Sequence, residues 1–287
     1  MTWLPASLAD FGPATLAAVV IAGYLVVGEP VVGHVLHRRF EDRMRTDARA
    51  RRSFYLRLLV LEWGLSGLVG LVVLTAPDVG AAQLGLRWPQ AWPGWITGMA
   101  CAALVAFVVV STRALRSGAL AAVPSGPRPG EGRHSEPAVQ STVALLPRSG
   151  AERRLFGLVG VTAGVCEEWL YRAFFLAVLA AVVPGLPAGL LVAAGAVAFG
   201  VAHAYQGIGG MLLTGVLGGV FAALYLQTGS LLLPVLLHAA VDLRILLVPP
   251  SALPAVHRVP VGPGAGRRAD VPRDTQGDQR DSVGPSE

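Results

Sequence analysis

The 287 residues predict an all-α fold, a polytopic transmembrane bundle of about seven spanning helices, and three observations carry that expectation. Hydrophobic residues make up 53% of the chain against 14% charged, and the mean hydropathy is +0.57, a balance that ordinary soluble domains do not show. Several apolar stretches run for about 18 to 25 residues, enough at about 1.5 Å per residue to cross a hydrocarbon core of about 30 Å. Arginines gather beside these stretches, and that placement turns a net charge of +5 away from nucleic acid and towards membrane topology.

The stretches lie near residues 14–36, 58–76, 95–112, 155–183, 188–204, 209–227 and 230–248. Asp10 and no basic residue precedes the first, and no small-residue cleavage site follows it, so it reads as a retained helix and not as a cleaved leader. The loop HRRFEDRMRTDARARR at 37–52 holds seven arginines against three acids, which keeps it cytoplasmic and puts the amino terminus outside. The third stretch then ends inside before Arg113 and Arg116. An odd count of seven returns the tail, with Arg258, Arg267, Arg268, Arg273 and Arg280, to the cytoplasm. The plasma (inner) membrane is the expected location.

Four regions follow from composition: residues 1–116 as an amino-terminal three-helix membrane region, 117–153 as a flexible linker, 154–248 as a helical core and 249–287 as a disordered tail. Linker and tail are rich in Pro, Gly and Ser and poor in large apolar residues, too little to offset ordering entropy. A short interfacial helix is expected near 139–147. All 23 basic residues are Arg, a bias of genome composition from which no function is drawn. Cys101 and Cys166 both fall in apolar stretches; no disulfide framework is implied, and Cys166 reads as a small apolar filler.

A charge near the middle of a membrane helix costs about 2.5–3.5 kcal/mol on insertion scales, so ionisable residues there point to function. The second half holds Glu167, Glu168, Arg172, His203, His238 and Asp242. Glu168 and Arg172 stand four apart, about 40° around a helix, and read as an internal salt bridge that fixes packing. Glu167 points about 100° away and has no partner in its own helix; it must find a proton, a metal or a histidine elsewhere. Singly, His203 in FGVAH and His238 in HAAVD would read as packing residues; with Glu167 they read as a site. Oxygen and nitrogen donors on three helices suit zinc, and Glu167, His203, His238 and Asp242 are the candidate ligands. In a metal-dependent hydrolase the ion activates water and a glutamate accepts its proton. Glu29, with Pro30 and His34, and Glu62, one turn from Arg57, are read as structural or peripheral, and Trp169, Tyr171, Phe174 and Phe175 as packing aromatics.

Together, EEWLYR at 167–172, FGVAH at 199–203 and HAAVD at 238–242 resemble the CPBP family of intramembrane proteases, also called the Abi or CAAX-protease family. The resemblance covers about residues 145–248 and leaves the first three helices and the tail uncovered. It implies an intramembrane endopeptidase acting on a membrane-embedded or lipidated protein or peptide. It further implies that Glu167 activates the attacking water, that His203 assists or holds the metal, and that His238 with Asp242 ligates metal or stabilises the oxyanion. Glu168 and Arg172 would support Glu167. A metal-held water and a water activated by glutamate alone both remain open; where the family shows asparagine or aspartate, Asp242 favours the metal, because an ionised carboxylate repels an oxyanion.

Rival readings are weaker. No H-E-x-x-H run occurs, against a site-2 zinc protease. Ser230 before His238 lacks the following glycine of a rhomboid-like serine and leaves Glu167 unexplained. A non-enzymatic immunity or scaffold protein and an ion or proton transporter remain as alternatives of other classes. Depth arithmetic adds a constraint: counted from their outer ends, His203 lies about 22 Å in and His238 about 12 Å, a gap that tilt or a buried helix start must close.

Overall fold

The computed structural model describes residues 3–44, 47, 49–118 and 145–253, and among these residues the ordered elements are helical. A short 3-10 segment, Leu8–Ala14, leads into α1 (Thr15–Met44); α2 is Ala50–Leu74 and α3 Trp95–Arg116. α4 (Gly150–Glu168) runs through a π-helical turn (Trp169–Phe175) into α5 (Leu176–Val182). α6 (Ala188–Ala202), α7 (Gly207–Thr228) and α8 (Leu232–Leu243) complete the bundle. Counting α4, the π turn and α5 as one rod, seven rods coincide with the seven apolar stretches. Of the expected interfacial helix only 145–147 lies within the described residues, where it is turn; the chain from 254 onward lies outside them.

The expected helical bundle is what the described residues form. Four helical stretches, Leu8–Arg43, Ala50–Leu74, Trp95–Arg116 and Ala204–Thr228, are long and apolar enough to cross a membrane by length and composition. α6, with 15 residues, and α8, with 12, reach only about 22 and 18 Å. α6 stops because the chain turns at His203–Gln206 and re-enters α7 through Gly207 at φ 77°. α8 is short mainly because the chain tightens into a 3-10 turn at Arg244–Leu247, and its start is tied down as well. Thr228 and Ser230 are completely buried, the Ser230 hydroxyl donates to the Arg87 carbonyl, and Leu231 N–H donates to Gly85 O at 3.0 Å. The segment 85–90 therefore roofs the α7–α8 turn.

Two close approaches position the polar residues. α4 packs on α2 and α8, and α6 on α7 and α1. A Cβ at Gly164 of α4 would stand 3.0 Å from Ala239 N of α8, and one at Gly200 of α6 would stand 2.8 Å from Met211 O of α7; only glycine lets these backbones meet. The start of α4 is locked by a capping box in which Glu152 N–H donates to Ser149 Oγ at 3.2 Å and Ser149 N–H to Glu152 Oε2 at 3.0 Å. Arg51 of α2 joins it, its guanidinium 2.8 Å from Glu152 Oε1.

Candidate functional site

Within the fourth stretch a π turn opens immediately after Glu168. A π turn spreads its side chains wider than an α turn and shifts the register of the helix beyond it. Six residues in succession, Leu170 to Phe175, are buried here, and the buried run continues into α5 through Val178. Trp169 Nε1–H donates to Ser66 O at 3.2 Å and Tyr171 O–H to Leu25 O at 3.3 Å, so these aromatics tie the turn to α2 and α1. Phe174 is completely buried, and their reading as packing residues agrees with these contacts.

Glu168 and Arg172 form the expected pair, Nη1 to Oε1 at 3.0 Å, with both side chains almost entirely shielded. The guanidinium lies over the Phe199 ring, 4.2 Å from its centroid, and 5.5 Å from that of Phe221. The same Glu168 Oε1 also takes the Nδ1–H of His238 at 2.7 Å. Glu168 thus binds Arg172 on its own helix and His238 on α8.

Each imidazole has its tautomer set by this scaffold. His203 Nδ1 lies 2.9 Å from Phe199 O, and a carbonyl only accepts, so the proton is on Nδ1. His238 carries its proton on Nδ1 towards the Glu168 carboxylate, and its ring stacks on Phe221 at 5.5 Å and 26°. Both rings therefore turn an Nε2 lone pair towards Glu167 Oε2, at 3.9 Å from His203 and 3.8 Å from His238. Asp242 Oδ2 stands 3.8 Å from His238 Nε2. These separations exceed a direct hydrogen bond, and Glu167 Oε2 is buried without a hydrogen-bond partner. Polar atoms from α4, α8 and the turn after α6 thus meet around one point. The six residues selected from sequence are thus brought together, four around one point and two behind them.

Residues 152–244 match the family described as Type II CAAX prenyl endopeptidase Rce1-like. Over this segment, less than half of the chain, the protein is similar to that family. No curated protein and no solved structure matches the chain. The matched segment holds all six polar residues and both close helix approaches, while α1, α2 and α3 lie outside it.

The donor set fits a divalent cation in its chemistry: two imidazole nitrogens with bare lone pairs, each held by the partner of its other nitrogen, and two carboxylates. Tetrahedral ligands at about 2.0–2.1 Å from zinc stand about 3.4 Å apart, so the spacings of 3.8–3.9 Å are a few tenths of an ångström wide. As they stand, no His, Cys, Asp and Glu group of three or more closes at metal-binding distances among the described residues.

Sequence reasoning missed part of the site. A cavity of about 400 Å³ holds Glu167 and His203 on one wall, and α1 and α2 supply the other. Glu29 and Glu62, read as structural or peripheral, both line it, as do His37 and Tyr205. The signal was present, since a carboxylate within an apolar helix is itself a pointer to function. A larger groove of about 570 Å³ between α2, α4 and α8 is apolar and contains none of the site carboxylates; buried Cys166 lines it as a free thiol.

Proposed function

We propose that the protein is an intramembrane endopeptidase that hydrolyses a peptide bond of a membrane-embedded or lipidated protein or peptide, a prenylated protein being one substrate of that class. The observation that carries this reading is Glu167 Oε2, buried and unpartnered, facing the Nε2 atoms of His203 and His238 at 3.9 and 3.8 Å. A water placed there can donate one O–H to the Glu167 carboxylate, which takes its proton, and the other to the Nε2 of one of the two imidazoles, which orients it. Glu167 is the general base and later returns the proton to the leaving amine. Glu168, neutralised by Arg172, is a positioning residue that holds the His238 tautomer, as the Phe199 carbonyl holds that of His203.

Glu167, His203, His238 and Asp242 are the proposed holders of a divalent metal, zinc by ligand type, which would supply Lewis acidity to the scissile carbonyl and the water. The proposed setting is the plasma (inner) membrane with the amino terminus outside and the carboxyl tail cytoplasmic, supported by the arginine distribution.

The test is peptide release from a detergent-solubilised membrane-protein library by the wild type and by Glu167→Ala, each with and without a zinc chelator. Release by the wild type that Glu167→Ala abolishes supports the reading; equal release by both proteins, or release by neither, overturns it. Loss of release on chelation supports the metal, and undiminished release assigns the chemistry to the glutamate alone.

A further inference from the structure

The cavity in front of Glu167 carries more negative charge than hydrolysis uses. Glu29 of α1 and Glu62 of α2 line it together with Glu167, and no arginine is among its lining residues, although the chain has 23 of them. Glu62 lies within electrostatic reach of Glu29, Glu167 and Asp242, and its Oε2 is buried without a hydrogen-bond partner. At the other end His37 is 5% exposed and makes no aligned hydrogen bond through either ring nitrogen, Glu41 Oε1 lying 3.4 Å from its Nε2. Placing two further carboxyls in apolar helices and leaving a buried oxygen unsatisfied is costly, and no cation among the lining residues offsets it. A cation entering the cavity would meet three carboxyl groups and no arginine among the lining residues.

The remaining lining indicates the shape of that cation. Val32, Leu36, Leu58, Leu61 and Leu65 surround the carboxyls with aliphatic surface. A bare metal ion would gain nothing from such a wall, and about 400 Å³ is far more room than an ion occupies. A long aliphatic stem ending in a charged head matches both features: the stem lies along the leucines and the head meets the carboxylates.

We infer that this cavity receives a lysine or arginine side chain of the substrate close to the scissile bond, with Glu62 and Glu29 as the specificity-determining residues. The inference rests on the peptidase reading above, since only a chain being cut at Glu167 would be threaded past both.

The experiment starts from a bond that the wild type cleaves in the membrane-protein library. Synthetic peptides spanning that bond are made with lysine or with norleucine, which keeps the stem and removes the charge, at each of the four positions on either side. At one of these positions the wild type is expected to prefer lysine by roughly tenfold or more in kcat/KM, the scale of a charge-assisted contact. In Glu62→Gln that ratio should fall towards one. Glu62→Asp, which keeps the charge, should retain it, and Glu62→Arg should reverse it in favour of a glutamate-containing peptide. A ratio of one at every position in the wild type, or an unchanged ratio in folded Glu62→Gln, overturns the inference while leaving the peptidase reading intact. Absence of any cleavage by the wild type overturns the peptidase reading, and this inference with it. Zinc bound in a second equivalent that Glu62→Gln loses would assign the carboxylates to a metal and equally overturn it.

Discussion

Removing the Glu168 carboxylate separates what the Glu168–Arg172 pair contributes to the fold from what it contributes to chemistry. In Glu168→Ala the Arg172 guanidinium, 1% exposed, loses the carboxylate 3.0 Å away and keeps a carbonyl at 3.5 Å, from Gly218, and two aromatic faces. Breaking a buried pair from one side costs about 3–5 kcal/mol, because an uncompensated charge remains. In a membrane the unfolded helices also find polar partners, so the lower end, about 3 kcal/mol, is expected. Glu168→Ala/Arg172→Met removes both charges and should recover most of that loss, which gives a coupling energy of about 2 kcal/mol or more. Peptidase activity should not recover, because His238 Nδ1 has still lost its acceptor at 2.7 Å and its Nε2 is no longer set to face Glu167. Detergent unfolding of the four proteins of the cycle, with peptide release from each, is the assay. A double variant as unstable as the two single losses added together would refute the pairing argument. Full activity in the double variant would refute the positioning of His238 by Glu168.

Gly164→Ala sets a Cβ 3.0 Å from the Ala239 backbone, which cannot rotate away, so about 1–3 kcal/mol of stability and part of the activity should be lost, while Gly189→Ala, with nothing within 4 Å, should be neutral in the same unfolding assay. Ser149→Ala removes the α4 cap and should cost about 1 kcal/mol. At this cap burial raises the Glu152 pKa, but the Arg148 and Ser149 backbone N–H groups and the Arg51 guanidinium outweigh it and hold the carboxyl below its ordinary value. The stability so gained is present above the unfolded value, about pH 4.3, and is lost as pH falls through the lowered folded value; unfolding followed across acid pH should show that loss in the wild type and not in Glu152→Gln. His203→Gln and His238→Gln should each lower the zinc content of the purified protein in elemental analysis, and content equal to the wild type would remove them from the proposed donor set.

Hydrophobic run length made the seven rods legible, and the cost of intramembrane charge made six polar residues legible, because both depend on what a segment carries by itself. Helix ends were less legible. α1 runs on past residue 36 to Met44, since Arg, Glu and Asp outside the hydrocarbon still favour a helix. α8 stops at Leu243 although the apolar stretch continues to residue 248, and Arg244–Leu247 tighten into a 3-10 turn. The tied-down start of α8 depends on hydrogen bonds from segment 85–90, which no property of α8 announces. Glu62 is deceptive for a similar reason: proximity to Arg57 in sequence suggests headgroup depth, whereas its neighbour across the cavity is Glu167, a residue more than a hundred positions away.

The division of labour between the two halves follows from that geometry. The matched segment brings its polar cluster together through its own close approaches, Gly164 setting α4 against α8 and Gly200 setting α6 against α7. What this segment lacks is a wall. Glu167 and His203 also border a space that α1 and α2 close, and the tie between the halves is made by the π turn itself, through Trp169 to Ser66 and Tyr171 to Leu25. A one-residue shift in that turn would rotate Glu168 and Arg172 relative to those anchors and uncouple the polar cluster from its enclosure. The first helices then act as the part that decides what reaches Glu167, and their two carboxylates are where a difference in substrate preference between such proteins would be written.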